Sequence, residues 1–538
     1  MKRRYFGLLI AVLFLFLQAC SSGNSGSTPY FGSSTSTGSV QVRLTDAPAY
    51  GYDHVWITVK AVWFNASADA GPMQPGWHKF PLASPVTFDL LDLSNGAISV
   101  PVLDDAYLPE GTYPQMRVLL APTEDSLTGS ATTEGLSYNN QVNVTGDTTP
   151  YPLRIPAPLN GIKLEGSFEV KKNTKLKIAV DFDAGHDVVK MDHDGSSEYV
   201  FKPRLASFDL DNAGAIVGHI DATAAANRST AQFVIKAEQA GAGNVVHLVR
   251  RATFVADAAG TFVLYPLLPG NYDVLIRGIG YETAIIKGVP VMKGTTPTSG
   301  ATVVPALTLT PSPAADYLAS ASITSPTGAW VDYFQTVPGD APYEVRFRHF
   351  HPLTGQFADF PLSAGPLRVG AYNATSISLS TVSPAEGDGG FRAVANAVLY
   401  QPSAWPSSPN VSAANASIDF GTLGVKAPAI SRSISGAINV PTMSMGAMNR
   451  GVAFAVHGGM IVNAVKTDGV MGSGGSYTLE NLPGGESAAN ALPVAVYGVT
   501  AFGWSASNAT AHAVAVPVIV DLSSSDATGA DLDMLMLP

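Results

Sequence analysis

The chain has 538 residues, a net charge of −11, one cysteine, 52 glycines and 38 prolines, and only 14% of its residues are Asp, Glu, Lys or Arg. So few charges exclude long surface helices, and the Gly and Pro excess points to strands joined by turns. With 46% apolar residues the chain is too hydrophobic to stay unfolded beyond a short N-terminal stretch, and its length suggests several domains.

Residues 1–20 read as an export signal: Lys2, Arg3 and Arg4 precede an apolar run from Tyr5 to Leu17 that is too short to span a bilayer. The run ends in Leu17-Gln18-Ala19-Cys20, which resembles the lipobox of bacterial lipoproteins, and Cys20 is the sole cysteine. The resemblance implies that Cys20 is acylated, with palmitate or a similar chain, and becomes the mature N-terminus. Several acyl chains anchor a protein stably where one does not, so membrane lipid is the first expected partner. Ser21, not Asp, follows the cysteine, which favours an outer-membrane lipoprotein facing the periplasm or the cell surface. Residues 21–38 are rich in Ser, Gly and Thr and read as a flexible tether. Loss of the three leader charges takes the net charge from −11 to −14, so nucleic acid is not an expected partner.

The first folded region, 39–210, opens on an alternating strand that runs to Asp46 and Pro48. In His54 to Phe64, Val55, Ile57, Val59, Ala61 and Trp63 share one face, the period of a half-buried strand. Further strands are expected at Val86–Leu93, Gln115–Ala121, Lys163–Val170, Lys175–Phe182 and Tyr199–Phe208. The motifs Val40-Gln-Val-Arg-Leu-Thr-Asp-Ala-Pro48, Phe88-Asp-Leu-Leu-Asp-Leu93, Leu108-Pro-Glu-Gly-Thr-Tyr113, Val180-Asp-Phe-Asp183 and Tyr199-Val-Phe-Lys-Pro203 resemble, in order, the domain-of-unknown-function 4382 (DUF4382) family. That resemblance implies an all-β domain of exported proteins and brings no established activity.

The second region, 214–310, contains Asp257-Ala-Ala-Gly260 and Leu268-Pro269-Gly270-Asn-Tyr272; Pro269-Gly270 suits the centre of a type II turn. The pattern resembles carboxypeptidase regulatory-like modules, small transthyretin-like sandwiches that are accessory to catalysis. The last region, 434–538, repeats the design: Leu482-Pro483-Gly484 aligns with Leu268-Pro269-Gly270, although Gly485-Glu486-Ser487 replaces the Asn-Tyr. Between them, 314–431 carries strand-like alternation at Tyr343–Phe350 and Pro366–Tyr372 and is expected to be a β-sandwich of unnamed type. The expected fold is therefore all-β, a string of tandem immunoglobulin-like or transthyretin-like sandwiches.

Motifs for zinc proteases, serine hydrolases and phosphate loops are absent from the sequence. Asp181, Asp183, Asp192 and Asp194 form its densest acidic cluster; alternate carboxylates suit Ca²⁺, while Asp and Gly are equally ordinary turn formers. His349 and His351 flank Phe350 and should share one side of a strand, either as a two-ligand metal pair or as two surface histidines. Trp330, Tyr333 and Trp405 offer flat faces for stacking a sugar, or else fill cores. The expected role is non-catalytic binding or adhesion at the cell envelope, with a polysaccharide or an envelope protein as partner. A spacer or assembly subunit without a small ligand, and an envelope hydrolase with its site in 314–431, are the alternatives.

Overall fold

The computed structural model describes residues 36–47, 49–156, 160–193, 196–203, 205–241, 243, 245–403, 409–427, 429–440, 449–457, 460–467, 475–485, 496–505 and 512–536. The Cys20 lipobox, Trp405 and Asp194 lie outside these residues. Residues 37–538 form one compact unit, built almost wholly of strands, so the all-β expectation holds.

In the first module, a four-stranded sheet (Ala206–Asp209, Lys175–Asp183, Thr37–Ala47, Leu103–Pro109) faces a larger one centred on Tyr52–Asn65 and Gly111–Leu120. Val40, Val42, Leu44, Ile57, Phe64, Val118 and Phe182 fill the space between. The alternation of Tyr52–Asn65 is broken by a bulge between Val59 and Ala61. One extra residue flips the faces, so Val62 and Phe64 become the buried pair and Trp63, expected inside, turns out to meet Trp77 at 5.8 Å with the Lys79 ammonium over its ring at 4.1 Å. The run Tyr199–Phe208 is two strands, Ser196–Phe201 and Ala206–Asp209, in different sheets. Pro203 has no amide to donate to a ladder, and Lys202 leaves the sheet to donate to the Gly328 carbonyl of the third module.

The second module pairs Gly214–Ile220 with Thr261–Leu267 and Thr302–Leu307 against a sheet ordered His247–Phe254, Val234–Ala240, Gly270–Arg277 and Ala284–Val291. That second sheet does not end within the module. Leu367–Ala371 adds to Ala284–Val291 in parallel, and Ser380–Val382 follows it. The third module lends these two strands and keeps two small sheets of its own, built on Tyr317–Ser322 and on Trp330–Thr336. The fourth is one long sheet in which Ile430–Asn439 pairs with Ser476–Gly484, and Arg450–His457 pairs with Val496–Trp504.

The modules do not lie end to end. The third and fourth share a continuous apolar core that includes Val331, Tyr343, Ile434 and Tyr477. The first touches all the others: Ala47 packs with Val234 and Ala252 of the second, Lys202 reaches the third, and Met191 and Val200 pack with Val452, Phe454 and Trp504 of the fourth.

Candidate functional site

Where the first three modules meet, they line a partly open cavity of about 400 Å³. The first module contributes Tyr50, Tyr52 and His186. His186 sits on the one-turn helix Ala184–Asp187, whose N-cap Asp183 accepts the His186 amide at 3.0 Å and meets His186 Nδ1 at 2.5 Å. Tyr50 donates to the Phe233 carbonyl at 2.7 Å, and burial pushes the Tyr50 and Tyr52 hydroxyls up to about 12.

The second module supplies Lys236 and Arg277, and the third supplies Arg346, Phe347, Arg348, His349 and His351. Lys236 is tied to Glu344 by its carbonyl at 2.7 Å and its carboxylate at 2.9 Å. The guanidinium of Arg346 lies over Phe360 at 4.4 Å and donates to the Pro361 carbonyl. His349 Nε2 faces the His186 carbonyl at 2.6 Å, and His351 Nδ1 accepts the Leu353 and Thr354 amides at 3.2 and 3.3 Å. The strand Pro342–His349 ends before His351, so the two imidazoles line one cavity from a strand end and from a turn, not from one strand face.

The acidic cluster works as a joint between modules. Arg251 of the second module donates to Asp181, to Thr45 Oγ1 at 2.8 Å and to the Asp46 carbonyl at 2.7 Å. Burial pushes the Asp181 carboxyl up to about 6; Arg251 opposes this and Asp183 adds to it. Burial likewise pushes Asp46 well above its ordinary value, against the Ala184 amide at 2.9 Å and with the charges of Asp183 and Asp181 behind it. Asp181 and Asp183 thus have cationic or ring partners from the chain itself, and Asp192 lies in the hairpin strand Val188–His193. Tyr333, expected to offer a stacking face, is 1% exposed and packs on Phe360 at 5.6 Å inside the third module, so no ligand reaches its ring. Trp330 is half-buried; its indole N–H donates to Asp332 at 3.0 Å and Lys202 lies over its ring at 5.5 Å.

His247, Asp273 and Asp340 also come together, at the contact of the second and third modules, with ligand-type atoms within 4.8 Å of one another. His247 Nε2 lies 3.5 Å from Asp273; the Tyr343 hydroxyl donates to Asp273 at 2.6 Å and to Asp340 at 2.8 Å, and Lys287 meets Asp340 at 2.5 Å. Burial opposes ionisation of both carboxyls, but His247 and Tyr343 at Asp273, and Lys287 and Tyr343 at Asp340, hold them below the ordinary range. Lys287 pairs with Asp340 and the Tyr343 hydroxyl bridges the two carboxylates, so these bonds tie the second module to the third.

The architecture is that of tandem β-sandwiches. Residues 37–203 match the family described as "Domain of unknown function (DUF4382)". No curated protein matches the chain. Among solved structures, a type II cohesin–X-dockerin complex from Acetivibrio cellulolyticus is 18% identical over 18% of this chain, which spans 58% of that one, with a TM-score of 0.13. The Bacillus anthracis TIE protein is 8% identical over 92% of this chain and 73% of its own (TM-score 0.13), and a streptococcal ancillary pilin 8% over 60% and 99% (TM-score 0.13). At these scores the likenesses carry no argument, and the fold class rests on the sheets themselves.

Sequence reasoning missed Arg277, Arg346 and Arg348. The available signal was two arginines at alternate positions, Val345-Arg-Phe-Arg-His349, in a chain with only 31 basic residues.

Proposed function

We propose that this protein is a lipid-anchored component of the cell envelope with a non-catalytic binding or adhesion role, displayed from the outer membrane through acylated Cys20. The gathering of four strand-rich modules into one body, with a cavity where three of them meet, carries this reading. Such a body presents a fixed surface, and multi-module junctions are common places for ligand sites. A polysaccharide or an envelope protein is the proposed partner. A spacer fits less well, because modules clustered around the first do not add their lengths. The cavity histidines face a backbone carbonyl and turn amides, an arrangement that serves joints better than hydrolysis.

Fractionation tests the anchor: Cys20→Ala should move the protein from the membrane to the soluble fraction, and an unchanged distribution sinks the lipoprotein reading. For the ligand, the purified protein is applied to a glycan array. Silence there removes the carbohydrate version and leaves an envelope protein as partner.

A further inference from the structure

The cavity at the three-module junction holds more positive charge than its surroundings neutralise. Arg277 ends the strand Gly270–Arg277, and its Nε and Nη1 are buried with no hydrogen-bond partner among the described residues. Arg346 is 9% exposed; its Nη1 is used on Pro361, its face rests on Phe360, and its Nε also has no partner. Arg348, two residues on, is exposed at the same cavity. The three are close enough that Arg277 and Arg348 both work against the charge on Arg346.

The nearby carboxylates have other work. Glu344 takes the Lys236 ammonium, Asp183 pairs with His186, and Asp316 accepts the Gly280 amide. Burial lowers Arg277 to about 10 and pulls Arg346 down further in the same direction. Since a guanidinium keeps its proton in proteins, the cost appears as lost stability, which a bound anion would recover. A buried donor left without a partner is costly, and more so when charged.

We propose that this junction binds a small oxyanion, a carboxylate or phosphate carried on a single-ring body, with the Nη2 ends of Arg277 and Arg346 as its donors and Arg348 at the mouth. Charge-assisted hydrogen bonds from a guanidinium hold the oxygens of these groups more strongly than neutral donors do. Phe347, stacked on His186, and Phe357, at the edge of the third module's core, line the same space and make one side of it apolar. A volume of about 400 Å³ lies near the small end of ligand pockets, which suits one ring and not a chain. The proposal goes beyond the binding reading above: it adds a small-ligand site that depends on neither a polysaccharide nor a protein partner.

The test uses the full chain in detergent, with calorimetric titration and thermal melts in inorganic phosphate, sodium glucuronate and glucose. Phosphate stabilises proteins by exclusion from their surfaces, so each melting shift is compared with that of Arg277→Met in the same buffer. At least one anion should bind and raise the melting temperature of the wild type, and glucose should do neither; the effective anion tells phosphate from carboxylate. Arg277→Met should weaken binding about tenfold or more, as expected for loss of a charged hydrogen-bonding partner, and should melt higher than wild type without anion. Arg348→Gln, at an exposed position, keeps the test open if Arg277→Met fails to fold, and should weaken binding several-fold. Silence of both anions, or binding unaffected by these changes, overturns the proposal. Neither result touches the anchoring reading, which Cys20→Ala tests separately.

Discussion

Asp46 shows how a strand residue becomes a joint. It is fully buried: Oδ1 accepts the Ala184 amide, Oδ2 has no partner, and Asp181 and Asp183 lie close by. Both Asp46 and Asp181 are pushed above their ordinary value of 3.8, Asp181 to about 6, so the folded state holds these protons more tightly than the unfolded one. Their contribution is fully present below about pH 4 and is lost as pH rises through about 6 for Asp181 and through the raised value of Asp46. Melting temperature should therefore rise from pH 7.5 to pH 5. Asp46→Asn keeps the acceptor for Ala184 and removes the charge; thermal melts should show it more stable at pH 7.5, by about 1–3 kcal/mol, with a flatter pH response. A destabilised variant at pH 7.5 would mean that Arg251 fully compensates the carboxylate. Arg251→Met leaves Asp181 buried without its cation and should cost about 3–5 kcal/mol. Much of that loss should return in the double variant Asp181→Asn/Arg251→Met, read by a denaturant double-mutant cycle.

Three corners between unpaired successive strands share one device at the scale of the element. Tyr113 donates to the Pro109 carbonyl at 2.9 Å, Tyr272 to Leu268 at 2.7 Å and Tyr497 to Pro483 at 2.5 Å. Each bond closes the corner between a buried leucine (Leu108, Leu267, Leu482) and the next strand. Gly111 and Gly270 both take φ +155°, further round than a type II turn, and Gly485 takes +116°. The geometry therefore aligns Gly485, not Gly484, with Gly270, and Leu267 rather than the half-exposed Leu268 with Leu482. The Leu-Pro-Gly recurrence was legible because turn chemistry is local. Its tyrosine in the last copy was not, because Tyr497 lies fourteen residues beyond Pro483 instead of four. The bulge at Val59 and the roles of Asp46 and Arg251 were hidden for a related reason: pairing register and partners 205 residues apart leave no periodic trace. Tyr272→Phe should cost about 1 kcal/mol by chemical denaturation. Tyr497→Phe, whose hydrogen bond to Pro483 is buried, should cost more, about 1–3 kcal/mol; equal and negligible losses would show that the leucines alone hold the corners.

Composition and turn spacing point to several strand-rich regions, yet they do not reveal how those regions meet, and here the meeting changes the molecule. A string of independent modules would unfold in separate steps. In this chain Leu367–Ala371 of the third module completes the sheet of the second, the third and fourth share one core, and the first packs on all three. Cooperative units follow buried contacts rather than sequence boundaries, so calorimetry of the intact chain should show one dominant transition and not four. Excised at 214–310, the second module would keep its corner at Tyr272 but lose the partner of Ala284–Val291. That strand carries Ile285, Ile286 and Val289, and an uncovered apolar edge templates pairing with other chains. The excised module should therefore aggregate or dimerise in size-exclusion chromatography, and fusing residues 363–383 to its C-terminus through a flexible linker should return it to a monomer. A monomeric 214–310 with four resolved transitions in the parent would mean that the modules behave as a string after all.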